Sequence, residues 1–229
     1  MYLLGIETAT RQLSVALWQD GNCLSRGGDF PNGGSQNLLP WIHELLDLGG
    51  IRPADLHGIA FGAGPGSFTG LRLACGVAQG LAWGLEIPLL PVSTLEALAL
   101  ASGKSRAWVC LDARMNEIYC AGYEVSGNRV TELMAPICAA PTVAPAPTFG
   151  NAWGVGDGFA TYGDTLRSLA PCLLGVQADA APTAEAVLRI AAPRFADGLP
   201  VDFAAAQPFY VRDKVALTTA ERLARGGAN

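Results

Sequence analysis

Charge is scarce in this chain of 229 residues: Asp, Glu, Lys and Arg make up 15% of it, against roughly 25% in ordinary soluble domains. Only two lysines occur, Lys104 and Lys214, and 15 basic residues face 20 acidic ones, for a formal net charge of −5. A chain so short of positive charge has no broad basic face with which to grip nucleic acid by itself. Histidine is almost missing as well. His43 and His57 are far apart in the sequence and belong to no metal-spaced cluster, so structural or surface roles are expected for both. There is no G-x-S-x-G elbow and no close Cys–His pair, which leaves hydrolysis by a side-chain nucleophile without candidate residues. The cysteines at 23, 75, 110, 120, 138 and 172 form no C-x-x-C pair. Cys75, Cys110 and Cys120 lie in apolar runs and read as buried thiols. The opening Met1–Glu7 has no basic leader, and the longest apolar stretch, Leu71–Leu90, is broken by Arg72, Gln79, Glu86 and Pro88. Neither a secretory signal nor a membrane span fits, and a cytoplasmic location is expected.

What the chain does have is apolar bulk and turns. Half of its residues are apolar, and it carries 28 glycines and 15 prolines. Disorder, which needs low hydrophobicity and high charge, is excluded. The length allows one large domain or two ordinary ones. So few charges on so much apolar sequence imply a surface not meant for water.

Patterning predicts strands at Tyr2–Thr8, Gln12–Gln19 and Asn22–Gly28, with Asp20-Gly21 as a hairpin turn. A helix follows over Ser35–Leu48, with Ser35 as N-cap and Gly49-Gly50 as its stop. Then come a strand at His57–Phe61, a helix over Gly70–Leu85, a strand at Ile87–Val92 and a helix from Ser93 through Ala101. After the polar break 102–106 the pattern restarts. Strands are expected at Ala107–Asp112, Glu117–Val125 and Arg129–Leu133, with Gly127-Asn128 at the turn between the last two, and an irregular crossing at Pro136–Pro147. A glycine-rich turn at Gly154–Gly158, a helix near Thr161–Leu169, a short strand at Leu173–Val176 and a helix over Pro182–Phe195 complete it. A tail, Ala204–Leu223, contains the Pro208–Arg212 cluster. Strands alternating with helices give the α/β class. Two similar successive halves suggest duplicated subdomains around a cleft, residues 1–103 and 104–229, with the tail returning to the first.

Two segments have the residues for chemistry. Gly64-Pro65-Gly66-Ser67-Phe68-Thr69-Gly70-Leu71-Arg72 joins a strand to a helix, where free N–H groups and the positive end of the helix dipole attract anions. Gly64, Gly66 and Gly70 let a ligand approach the backbone, and Ser67 and Thr69 add hydroxyls. The alternative is architectural: a tight glycine turn with Thr69 capping the helix. No Gly-Lys-Ser/Thr follows, so this is not a Walker loop. The second segment is Glu7-Thr8-Ala9-Thr10 at the carboxyl end of the first strand, where α/β proteins place ligands. Glu7 either holds a metal-bound water near a nucleotide or accepts N–H bonds from its own turn. Asp112-Ala113-Arg114 repeats the arrangement, with an internal ion pair as the simpler reading.

The first-half helices point to a different use. Leu38, Leu39, Trp41, Ile42, Leu45, Leu46 and Leu48 leave little polar face on one, and Leu71, Leu73, Cys75, Val77, Leu81, Trp83 and Leu85 surround the other. Gly76, Gly80 and Gly84 recur at i, i+4, each costing about 1 kcal/mol relative to alanine. Close approach of another helix would compensate for that stripe, as at a protein–protein interface; the alternative is internal packing against the sheet. The residues expected at such an interface are Leu39, Trp41, Ile42 and Leu46 with Gly76, Val77 and Gly80.

The Gly64–Arg72 string, preceded by Ile59-Ala60-Phe61-Gly62, resembles the signature of the bacterial TsaB (YeaZ) family. Glu7–Thr10, Leu38-Leu39-Pro40, Val92–Leu95, Asp112-Ala113-Arg114 with Glu117-Ile118-Tyr119, and Pro208 with Tyr210-Val211-Arg212 are weaker matches in the same order along the chain. The resemblance implies an actin-like ATPase (ribonuclease H-like) fold of two related subdomains. It implies a non-catalytic role in making threonylcarbamoyladenosine in tRNA, beside a catalytic TsaD-like paralogue and a TsaE-like ATPase; the apolar helices and the glycine stripe add the expectation of a homodimer when the paralogue is absent. The acidic balance fits a subunit that leaves tRNA contact to the assembly, and ATP or ADP is expected at the assembly's interface rather than as a cofactor of this chain. TsaD ligates metal through a His-x-x-x-His pair, which this sequence lacks at the comparable Ser93–Ala97. Glu7 stands where related ATPases more often have Asp. The rival readings are a stand-alone nucleotide hydrolase or phosphotransferase using Glu7 and the Gly64–Arg72 loop, including Thr8 and Arg72, and a glycoprotease-like metallopeptidase.

Overall fold

The structure, a computed structural model, describes residues 1–30, 33–200 and 202–212. Lys214 and the remainder of the expected tail, 213–223, lie outside the described residues.

Three antiparallel strands open the chain: β1 (Tyr2–Glu7), β2 (Gln12–Gln19) and β3 (Asn22–Asp29). Asp20 and Gly21, at φ 48° and 101°, supply the two left-handed residues that a two-residue hairpin needs. β4 (Gly58–Gly64) pairs in parallel with β1, and β5 (Leu89–Ser93) with β4, giving the order β3-β2-β1-β4-β5. β4 is buried along its whole length, as a central parallel strand should be. The second sheet repeats this plan. β6 (Arg106–Arg114), β7 (Glu117–Ser126) and β8 (Arg129–Ala139) form a meander, and β9 (Trp153–Val155) and β10 (Val176–Gln177) add in parallel, in the order β8-β7-β6-β9-β10.

Alternation along β1 divides the packing. Leu4 and Ile6 face α1 (Leu38–Gly49) and α2 (Phe68–Leu85), where Ile42, Leu45, Leu46, Ala74 and Ala78 complete one core. Leu3, on the other side, meets α3 (Thr94–Ala101) and α5 (Ala184–Ala196) through Ala97, Leu100, Val187 and Leu188. The opposite side of α3 packs on the second sheet through Leu95, Leu98 and Ala99 against Val109, Leu111 and Tyr123. α4 (Gly158–Leu169) covers that sheet's outer face over Trp108, Cys110 and Cys120. Helices α3 and α5 therefore lie between two sheets. Cys75, Cys110 and Cys120 are buried free thiols, as the sequence predicts.

Several boundaries differ from the pattern. Ser35 is not a helix cap: residues Ser35–Asn37 form a 3-10 turn after Gly34 (φ 94°), and α1 starts at Leu38 and stops at Gly50 (φ 65°). The cap of α2 is Ser67, whose Oγ accepts the Gly70 N–H at 3.4 Å. Thr69 cannot serve, because the helix has already begun at Phe68. Part of the expected glycine turn is β9. A side chain at Gly154 would stand 2.5 Å from the Phe159 ring, so its glycine is a packing requirement within a strand. β8 continues through Pro136 to Ala139 because it is an edge strand whose register shifts between Ile137 and Met134, where the missing N–H disturbs no pairing.

Candidate functional site

β1 and β4 run side by side and end at the same edge, which brings Glu7 and the Gly64–Arg72 loop together. Glu7 is fully buried. Its Oε1 accepts the Ala9 N–H at 2.7 Å, and its Oε2 accepts the Thr94 hydroxyl at 3.4 Å, while Thr94 Oγ1 accepts the Gly64 N–H at 3.1 Å. The carboxylate lies flat against β4: a Cβ on Gly62 would be 2.0 Å from Oε2. Glu7 does not line the neighbouring cleft. Of its two readings, the turn-bonding one describes what the structure contains.

Burial pushes the Glu7 carboxyl up to about 7, with the bonds from Ala9, Thr94 and Thr8 pulling the other way and no charged group contributing. The folded chain thus keeps a proton that the unfolded chain, at 4.5, has already lost. This group's contribution is complete at acid pH and declines as pH rises from about 4.5 through about 7, by about 3 kcal/mol in total. Glu7→Gln is expected to flatten the pH dependence of urea unfolding across that window and to be the more stable protein at alkaline pH. An unaltered slope contradicts this.

The glycines of the loop serve contact between backbones. A Cβ at Gly66 would lie 2.5 Å from the Ala9 carbonyl oxygen, and one at Gly70 would lie 2.0 Å from that of Thr8. Ser67 N–H donates to Ala9 O at 2.7 Å, and the Thr8 hydroxyl donates to Gly70 O at 2.7 Å. The N–H groups of Gly70 and Leu71 are taken by Ser67. Arg72 stacks its guanidinium over the Phe68 ring, 3.8 Å from the centroid. Thr69 is exposed. The loop clamps the start of α2 onto the end of β1.

Beside it lies a cleft of about 570 Å³, bounded by Thr8–Arg11, the 65–71 loop, the β6–β7 turn at Asp112–Met115, and Phe209–Arg212. Asp157 reaches it from the second half. Burial raises its carboxyl, the Asp112 N–H holds it at 2.9 Å, and the Asp112 charge raises it further. The arginines around the cleft are each paired: Arg11 with Asp29, Arg114 with Asp112 at 3.1 Å, and Arg212 with Glu117. The ion pair expected within Asp112-Ala113-Arg114 is present.

The outer face of α1 and α2 is the other distinctive feature. Among the described residues, a Cβ at Gly76, Gly80 or Gly84 would meet nothing within 4 Å, so the glycine stripe points away from the two sheets. Internal packing against the sheet does not explain it. Trp83 beside it is 71% exposed and Leu39 is 57% exposed. Val77 is half-buried, as is Trp41, whose ring leans on Phe30 at 5.8 Å. Two of the expected interface residues belong elsewhere: Ile42 and Leu46, 5% and 4% exposed, face β1 and β2 in the core and offer nothing to a partner. Trp83, not among the expected interface residues, also belongs on this face, and its i+3 spacing from Gly80 is the signal that puts it on the same stripe.

The family model described as "TsaD: tRNA N6-adenosine threonylcarbamoyltransferase" matches residues 33–147. The tRNA threonylcarbamoyladenosine biosynthesis protein TsaB of Escherichia coli K12 is 35% identical over 224 residues, covering 94% of this chain and 96% of that protein. The chain belongs to the TsaB family. Its Haemophilus influenzae TsaB relative is 30% identical over 229 residues, 93% of this chain and 94% of that protein. The solved structure of YeaZ from Pseudomonas aeruginosa superposes with a TM-score of 0.84 at 34% identity, covering 91% of this chain and all but 1% of that one (99%). Among the described residues of this TsaB-family chain, no three His, Cys, Asp or Glu side chains are grouped to hold a metal ion. No described helix is long and apolar enough to cross a membrane. His43 sits exposed, 3.5 Å from Asp47, and His57 Nδ1 accepts the Tyr2 N–H at 3.2 Å.

Proposed function

We propose that this TsaB-family chain is the non-catalytic partner subunit of the assembly that makes threonylcarbamoyladenosine in tRNA. It docks a TsaD-like catalytic paralogue through the outer face of α1 and α2, or a second copy of itself when the paralogue is absent, and a TsaE-like ATPase joins them. On this reading the two halves, 1–103 and 104–229, are duplicated subdomains of an actin-like fold, which the matching strand order of the two sheets supports. The protein works in the cytoplasm, meets tRNA only through the assembly, and leaves ATP or ADP to the assembly's interface. The observation that carries the reading is the glycine stripe with Trp83 beside it: three costly helix positions that nothing among the described residues uses. The stand-alone hydrolase reading needs Glu7 at a ligand, and Glu7, at the end of β1, is buried with its carboxyl group against β4. The test is reconstitution. With the TsaD-like and TsaE-like proteins and a source of threonylcarbamoyl-adenylate, tRNA modification is expected to require this chain, which by itself modifies no tRNA.

A further inference from the structure

The segment from Phe203 to Arg212 has neither helix nor strand, yet it runs from α2 to the β6–β7 turn. At its start Gln79 Nε2 donates to the carbonyls of Phe203 at 3.1 Å and Ala206 at 3.0 Å, and the Phe203 ring stacks on Trp83 at 6.5 Å. Ala206 is buried against α2, with its carbonyl oxygen 3.8 Å from Cys75 Sγ. Midway, the Phe209 N–H donates to Ala63 O at 2.6 Å. At the far end Arg212 Nη2 donates to Ala113 O at 2.9 Å, to Arg114 O at 3.3 Å and to the Glu117 carboxylate.

We propose that residues 203–212 are a releasable strap that closes one side of the cleft, with Arg212 as its latch. Phe209–Arg212 form a wall of the cleft, so undocking the segment opens that wall. Three features make release cheap relative to opening a sheet. Among the described residues, the Phe209 N–H is the one main-chain bond between main-chain groups that ties the segment to the body. Segments held by so few backbone bonds open far below the global unfolding free energy. Phe209 and Tyr210 already expose much of their rings, so release uncovers little new apolar surface there. The latch is also imperfectly satisfied: among the described residues Arg212 Nε is buried without a partner, a penalty that vanishes when water reaches it. A ligand approaching Asp157 and the 65–71 loop from that side therefore waits on the strap.

The protein contains its own reporter. Cys75 lies under Ala206 at the end of the strap remote from Arg212, while Cys110 is buried in the second sheet. The experiment is N-ethylmaleimide labelling of the folded chain, with each cysteine quantified by peptide mass spectrometry. If the strap releases as a unit, Arg212→Ala accelerates labelling of Cys75 about tenfold, and Glu117→Gln accelerates it by a smaller factor, about threefold, with Cys110 protected throughout. Cys75 labelling within about twofold of wild type in both variants overturns the proposal. Should Arg212→Ala expose Cys110 and so report general unfolding, Glu117→Gln decides by the same criterion.

Discussion

Gly80→Trp is expected to weaken binding of a TsaD-like subunit by about a thousandfold, or about 4 kcal/mol, while leaving the chain's own stability nearly unchanged. The two halves of that expectation come from one observation. Among the described residues nothing lies within 4 Å of the position a Cβ would take at Gly80, so an indole there projects away from the described body of the free chain. A helix docked along Gly76, Gly80 and Gly84 occupies that space, and the same indole would force the backbones apart. Isothermal titration calorimetry supplies the affinity and urea unfolding the stability. Wild-type affinity in the variant would mean that the partner sits elsewhere and that the stripe is simply bare.

The opposite balance is expected at Gly70. Gly70→Ala should cost about 4 kcal/mol of folding stability, because the new methyl would stand 2.0 Å from the Thr8 carbonyl oxygen, a backbone atom with no rotamer to escape into. Either α2 lifts away from the end of β1 or the clamp through Ser67 and Thr8 breaks. Urea denaturation measures the loss, and a change below about 1 kcal/mol contradicts the account of the loop as a backbone-to-backbone clamp. Gly70 and Gly80 lie on the same helix, and only the surroundings separate the two outcomes.

That contrast shows what the sequence could convey. The meander, the α/β alternation and the restart after residue 106 were legible because each strand carries its own period and turn chemistry: Asp20-Gly21 and Gly127-Asn128 both stand where the chain reverses. The glycine stripe was legible as a stripe. Its direction was not, since α1 and α2 have apolar residues all round, and a period cannot say which of two oily sides meets the sheet. Periodicity therefore admits Ile42 and Leu46 as outward residues, whereas the structure buries both and exposes Trp83, which shares the stripe's spacing. Glu7 was visible as an acid at a strand end. That it turns into the sheet depends on Gly62, a residue on another strand that leaves the carboxylate its room. β9 was hidden because its glycine answers to Phe159 rather than to a turn. The strap from Phe203 has no period at all, and its partners Gln79, Ala63 and Glu117 are scattered along the chain.

The most direct measurement is the rate of tRNA threonylcarbamoylation at fixed TsaD-like and TsaE-like protein while this chain is titrated in. A partner that acts by being bound predicts a rate near zero without it, a rise that saturates at one chain per TsaD-like subunit, and no rise with Gly80→Trp at the same concentrations. A rate indifferent to the chain, or one fully restored by Gly80→Trp, would contradict it.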